Sequence, residues 1–180
     1  MVKFEGMRNK VLLCVLIYFL PGLQNSFSQV RSVSIGINGL HCSACSFGTE
    51  KSLRQLDFVR EIKMDLNAHV AEVTFKQGKI VDFDALAKKV VDAGYSVRSI
   101  CIVYDFKNYQ VVNNSCLDDP SMILSFVGVK AQQVLNGPHT LQVLGKDFMP
   151  AAEFKKWKTL FTDVCKVNGG VKKIIQVSLA

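Results

Sequence analysis

The sequence predicts an α+β protein in which two helices pack on one antiparallel sheet, followed by a smaller β-rich part. Two observations support this class. Apolar and polar residues alternate with a period of two in several short runs, and in the first half these runs are interrupted by two segments with apolar residues at three- and four-residue spacing. Hydrophobic residues make up 49% of the 180, which is enough for a buried core.

The N-terminal segment has the pattern of an export signal. Three basic residues precede an apolar run at 11–20, and a small-x-small pattern follows at 26–28. The run is about half of the roughly 20 residues that a helix needs to cross a bilayer, so an uncleaved anchor is the less favoured alternative. We therefore expect cleavage near Ser28 and a mature chain that is periplasmic or secreted, with no permanent membrane span.

Charge and motif content exclude other classes of function. The formal net charge is +7, but basic residues are scattered among acidic ones without the basic runs and interleaved aromatics of a nucleic-acid surface. The sequence lacks Gly-x-Ser-x-Gly, a phosphate-binding glycine loop and His-Glu-x-x-His, and it contains three histidines. We therefore expect neither an enzyme nor a nucleic-acid-binding protein.

The first half is predicted to contain four strands and two helices. Glycine at position 48 weakens the first helix, and Asp82 is placed to cap the second. In chain order, the elements are a strand at 33–37, a helix at 44–56, strands at 59–66 and 69–75, a helix from Asp82 to Gly94, and a strand at 95–104. This order is that of a split βαβ unit, the ferredoxin-like sandwich.

A Cys-x-x-Cys motif lies between the first strand and the first helix. The stretch GLHCSACSFGTEKSLRQLDFVREIKMDLNAHVAEVTF, with the later Ala-Gly-Tyr at 93–95, resembles the heavy-metal-associated domain over about 31–101. That family includes copper chaperones, the tails of metal-pumping ATPases and periplasmic mercury-binding proteins. Its signature is Gly-Met-Thr-Cys-x-x-Cys; here Leu40 replaces the methionine, which is buried in the family, His41 replaces the threonine, and Phe58 replaces a common glycine.

The motif predicts a site for a soft metal ion. Unpaired N–H groups at a helix start favour thiolates, and two thiolates suit Cu(I) first and Hg(II) second, because both accept two-coordinate geometry. Zn(II) or Cd(II) would need further ligands. We expect Cys42 and Cys45 to be the ligands; His41 is either a third ligand or a solvent-facing loop residue. The resemblance implies a protein that carries, buffers or delivers the ion, with a metal-transporting ATPase or another metal donor or acceptor as partner.

Two other interpretations of the cysteine pair remain open. A Cys-x-x-Cys motif at a helix start also occurs in thiol-disulfide exchange proteins, and in an oxidising compartment the pair can be an inert disulfide. Against redox chemistry, the intervening residues are Ser43 and Ala44 rather than the usual aromatic, Gly-Pro or Pro-His context. No candidate for a cis-proline appears before Pro120.

The second half carries no family motif. We expect a signal peptide at 1–28, a heavy-metal-associated domain at 29–104, a linker at 105–120, and a small β-rich α+β domain at 121–180, with a partly open barrel as one arrangement. This domain is predicted to have strands at 122–135 and 140–148 with a turn at 136–138, a helix opened by Pro150, a glycine-rich turn at 168–170 and a last strand KKIIQVSL.

The predicted mature chain has an odd number of cysteines, so at least one thiol cannot form a disulfide within the chain. Five cysteines remain after residue 28, and two of them form the motif. Cys116 with Cys165 is one pairing of the other three, and Cys101 with Cys116 is its rival.

Overall fold

A computed structural model describes residues 30–166 and 172–180. The predicted signal peptide and the turn at 168–170 lie outside the described residues. The described strands are β1 (Val30–Asn38), β2 (Val59–Asp65), β3 (Val70–Phe75), β4 (Ser96–Val111), β5 (Cys116–Asp118), β6 (Met122–Phe126), β7 (Gln133–Leu144) and β8 (Lys173–Leu179), and the helices are α1 (Ser43–Leu53), α2 (Phe83–Asp92) and α3 (Ala151–Lys158). None of these helices has the length and apolar character needed to span a membrane.

The first half has the predicted βαββαβ order. Its strands pair antiparallel in the order β2-β3-β1-β4, with α1 and α2 in contact with each other and with this part of the sheet. The side chains of Ile35, Leu53 and Leu86 are fully buried in the shared core. Asp82 caps α2 as expected, because its carboxylate accepts hydrogen bonds from the N–H groups of Asp84 and Ala85 at 3.0 and 3.3 Å.

The predicted linker at 105–120 is not irregular throughout, because β4 continues to Val111. Phe106 and Val111 are buried, and the pairing with β7 runs from Ile100 to the end of the strand. The register shifts between Phe106 and Tyr109, where Asn108 has a φ of 48°, so a β-bulge accommodates the polar residues that suggested a loop. The division into domains stays a prediction, but the sheet is continuous across the expected boundary.

The turn predicted at 136–138 is wrong. These residues lie inside β7, where Pro138 pairs with Asp105 and Gly137 with Phe106. Among the described strands, β8 pairs with β7 only at 141–144, so the earlier part of β7 has β4 as its single partner. A proline is tolerated in such a strand because one edge needs no hydrogen-bond donor.

The expected strand at 122–135 is instead divided into β6 and the start of β7. Gly128, with a φ of 72°, lies between them, and a Cβ there would stand 2.9 Å from the Trp157 ring. The helix after Pro150 is short, since α3 ends at Lys158, and Leu160 beyond it is half exposed. β6 pairs parallel with β8, and the described strands form an open sheet with β2 and β5 at its edges rather than a barrel.

The cysteines outside the motif adopt the first of the two pairings. Cys116 on β5 forms a disulfide with Cys165, which follows α3 and is buried, with 5.7 Å between the Cα atoms. Cys101 on β4 remains a free thiol. The disulfide therefore ties the edge of the sheet to the segment after the last described helix.

A buried hydrogen bond connects β4 to the segment between β5 and β6. The Tyr104 hydroxyl donates to Asp119 Oδ2 at 2.9 Å, and both side chains are almost completely buried. Asp119 Oδ1 also accepts from the N–H and the hydroxyl of Ser121. Burial, and next the negative charge of Asp119, raise the pKa of the Tyr104 phenol well above its ordinary value.

Replacing Cys116 and Cys165 together by alanine is expected to lower the free energy of unfolding by about 4 kcal/mol, because the crosslink closes a long loop. The sequence separation is 49 residues. Urea denaturation of the variant and the parent, both with the Cys42–Cys45 disulfide intact, measures the difference. A loss below about 1 kcal/mol would show that this loop is already restricted without the disulfide.

Tyr104→Phe is expected to lower the free energy of unfolding at neutral pH by about 1–2 kcal/mol, because a donor to a buried carboxylate is lost. The raised pKa means that the folded chain holds the phenol proton more tightly than the unfolded chain. The stability contributed by this proton is therefore complete below about pH 10 and falls as the pH rises further. Denaturation curves at pH 8 to 11 should show a weaker alkaline decline in Tyr104→Phe than in the parent; Tyr95→Phe serves as control.

Candidate metal centre

The loop that carries the motif is fixed at its start by a glycine and a leucine. Gly39 has a φ of 88°, and a Cβ at this position would lie 3.3 Å from the Tyr95 ring, which follows α2. Leu40 is fully buried in the core, as the resemblance implies for the methionine of the signature. Leu40 therefore anchors the loop in the core, while the next two residues, His41 and Cys42, are exposed.

Cys42 is the N-cap residue of α1. Its backbone is extended, with φ −142° and ψ 159°, and its Sγ accepts a hydrogen bond from the Cys45 N–H at 3.1 Å. The helix begins at Ser43, one residue earlier than expected, so the cap position belongs to Cys42 and Cys45 lies in the first turn. An N–H group that points at sulfur stabilises a thiolate more than a thiol.

Cys45 is half-buried and packs against the core. Its carbonyl oxygen accepts a hydrogen bond from the hydroxyl of Thr49 at 3.1 Å, and Thr49 is fully buried. The two cysteines thus differ in access, because an incoming molecule meets Cys42 first.

The sulfurs of Cys42 and Cys45 are joined in a disulfide, with their Cα atoms 5.2 Å apart. Two electrons and two protons, supplied by a thiol reductant, would convert it to a dithiol. The first turn of α1, which the structure describes in full, contains no acidic residue. The described residues also include no cluster of three or more His, Cys, Asp or Glu side chains arranged to hold a metal ion. The reduced pair therefore offers two sulfur donors and no nearby carboxylate.

His41 contacts a residue that sequence reasoning missed. Its ring centre lies 5.0 Å from that of His69, with an interplanar angle of 77°. His69 occupies the turn between β2 and β3, and a βαββαβ fold places this turn at the same end of the sheet as the β1–α1 loop. The predicted strand at 69–75 placed His69 at its first position, and the predicted fold puts that position near the motif, so the two together could have located it.

Phe47 lies outside the buried face of α1. The buried residues of α1 are Ser46, Thr49 and Leu53, spaced by three and four, whereas Phe47 is 69% exposed. An exposed aromatic ring therefore lies two residues after Cys45.

Cys101 does not belong to the site. It lies in the middle of β4, paired with Ser34 of β1 on one side and Gln142 of β7 on the other. Burial, and then the carboxylate of Glu72, raise the pKa of its thiol. It is the natural cysteine control for experiments on the motif.

Comparison with known proteins assigns the first half to a family. Residues 34–96 match the model of the heavy-metal-associated domain. A copper-transporting ATPase of Helicobacter pylori is 34% identical over 65 residues, which is 36% of this chain and 9% of the ATPase. The periplasmic component of a mercuric transport protein from Pseudomonas fluorescens is 29% identical over 69 residues, covering 38% of this chain and 75% of that protein.

The crystal structure of oxidised MerP from Ralstonia metallidurans aligns with a TM-score of 0.34 and 30% identity, covering 38% of this chain and 96% of MerP. The family match and the sequence relatives establish that residues 34–96 are a heavy-metal-associated domain.

Gly48→Ala is expected to raise the free energy of unfolding by about 0.5–1 kcal/mol. Position 48 lies inside a helix, and alanine gives the unfolded chain less conformational freedom to lose on folding than glycine does. A Cβ at Gly48 would meet no atom within 4 Å. Thermal or urea unfolding measures the gain, and Gly39→Ala is the opposite control, since its left-handed backbone makes alanine destabilising. Loss of stability in Gly48→Ala would show that α1 has a different local conformation.

Proposed function

We propose that this protein binds a soft metal ion through the reduced Cys42–Cys45 pair and carries, buffers or delivers it, with Cu(I) as the main cargo. One observation carries the proposal: the two sulfurs meet at an exposed helix N-terminus within a heavy-metal-associated domain. A site with two sulfurs and no nearby carboxylate favours thiophilic ions over Ca(II), Mg(II) or Mn(II).

The relatives support the same choice of ions. One is named for copper transport and another for mercuric transport, so Hg(II) is the second candidate cargo. Zn(II) and Cd(II) rank lower, because they prefer four ligands and the motif supplies two. The expectation that His41 adds a third ligand stays a prediction.

The unequal access of the two sulfurs suits transfer of the ion to another protein. Cys42 is exposed and Cys45 is half-buried, so a partner thiol can attack the metal from the Cys42 side while Cys45 still holds it. The exposed ring of Phe47 offers the partner an apolar contact beside the site. We propose a metal-transporting ATPase, or another metal donor or acceptor, as this partner.

An exported location is part of the proposal. The sequence of residues 1–28 has the features of a signal peptide, and the described chain contains two disulfides, which persist in oxidising compartments. A mercuric relative is named as a periplasmic component. We therefore propose a periplasmic or secreted protein whose metal site requires a reducing donor to become active.

The disulfide in the structure favours one alternative, thiol-disulfide exchange. In that reaction a substrate thiolate would attack one sulfur of the pair, and a second substrate thiolate would release the mixed disulfide. The substrate dithiol would be oxidised while Cys42 and Cys45 are reduced to thiols. Exposure of Cys42 meets the access requirement of this chemistry as well as that of metal transfer.

Cu(I) titration of the selectively reduced protein against a competing chelator tests the proposal. We expect one tightly bound ion in the parent and a loss of affinity of at least about a hundredfold in Cys42→Ser/Cys45→Ser, because both sulfur donors are removed. Cys101→Ser is the matched control and should bind as the parent does, since this thiol lies within the sheet.

Retention of Cu(I) affinity in the double variant would contradict the proposal. Weak Cu(I) binding by the parent, combined with rapid reduction of an insulin-type disulfide that depends on Cys42, would favour thiol-disulfide exchange instead.

A further inference from the structure

His41 and His69 form a pair of imidazole rings beside the cysteine motif. Their ring centres are 5.0 Å apart, and the rings are nearly perpendicular. The two residues are 28 positions apart in the sequence and come from different turns, so the fold brings them together. We propose that they form a second metal site, for a borderline divalent ion such as Zn(II), Cu(II) or Ni(II), that operates without the cysteine sulfurs.

The ring separation fits two ligands of one ion. A zinc–imidazole bond is about 2.0–2.1 Å long, and two imidazoles on one tetrahedral ion therefore have their centres about 5 Å apart. Imidazole nitrogen suits Zn(II), Cu(II) and Ni(II), whereas Cu(I) and Hg(II) prefer sulfur. Water would complete the coordination, because the described residues provide no third His, Cys, Asp or Glu ligand.

His69 is held in place by its backbone. Its φ of 55° lies in the left-handed region, and its carbonyl oxygen accepts a hydrogen bond from the Ile37 N–H at 2.9 Å. Two hydrogen bonds fix the residue before it: the Asp65 carboxylate accepts from the N–H of Ala68, and the Arg98 guanidinium donates to the Ala68 carbonyl. One ligand of the pair is thus positioned before any ion binds, which lowers the entropic cost of binding.

The pair is independent of the disulfide. The sulfurs of Cys42 and Cys45 are bonded to each other, so neither is a thiolate ligand in this state. The His41 ring contacts His69 in the turn between β2 and β3, and this contact involves neither sulfur. The oxidised protein can therefore hold a divalent ion where the reduced protein would hold a soft one.

The experiment uses the full protein with both disulfides intact, in a Cys101→Ser background, so that no thiol from the described chain competes. Zn(II) is titrated by calorimetry, followed by Ni(II) and Cu(II). His41→Ala and His69→Asn should each weaken binding at least about tenfold, because one of two protein ligands is lost. Asparagine is chosen at 69 because it tolerates the left-handed backbone, which keeps the hairpin folded.

The chain provides its own control. Only three histidines occur in the sequence, and the third, His139, lies on β7 against Phe106. His139→Ala should bind Zn(II) as the background protein does. Substoichiometric Cu(II) should broaden the ring resonances of His41 and His69 before those of His139, a readout that needs no variant.

Zn(II) affinity within twofold of the background in His69→Asn, or equal broadening of all three histidines, would overturn the proposal and leave a simple ring–ring contact. This result is independent of the test of the proposed function. Failure here leaves the Cu(I) affinity of the reduced protein unchanged, and loss of Cu(I) binding in the cysteine variant leaves Zn(II) binding by the oxidised protein unchanged.

Discussion

The structure depends on β4, which pairs with β1 on one edge and with β7 on the other. In its central part, Ile100, Ile102 and Tyr104 are fully buried, and backbone hydrogen bonds are made on both sides. Beyond Tyr104, Phe106 continues the same alternation and packs against the rings of Tyr109 and Phe126. The heavy-metal-associated domain and the second half therefore share one strand and one continuous hydrophobic core.

This arrangement explains how the end of the domain that carries the Cys-x-x-Cys motif is exposed and yet held by the core. The sheet and its core fix the end of β1 and the start of β4, Leu40 anchors the loop between β1 and α1, and Tyr95 packs against the turn at Gly39. Cys42 then caps α1 through its sulfur, so the proposed ligand is positioned by the same hydrogen bond that starts the helix. The second half attaches through β7 to the edge of β4 opposite β1 and leaves this end of the domain open.

The sequence predicted the first half well because each element there has a strong local signal. The strands at 59–66 and 69–75, the cap at Asp82 and the motif at Cys42 and Cys45 all depend on short-range patterns. Sequence reasoning failed where long-range pairing overrides local preference: the Asn-Gly-Pro at 136–138 is a strong turn signal, yet β4 holds it in a strand. His69 was missed because its partner His41 is distant in the chain, and no periodic pattern connects the two.

X-ray absorption at the copper edge of the selectively reduced protein, loaded with one Cu(I), tests most directly whether the motif is the metal site. The chain used begins at residue 29, and mass spectrometry first confirms that its Cys116–Cys165 disulfide is intact, so that the available thiols are Cys42, Cys45 and the half-buried Cys101. The account predicts two sulfur neighbours in the copper shell of the parent and the same shell in Cys101→Ser. A shell with one sulfur or none, or with nitrogen and oxygen neighbours alone, would contradict it.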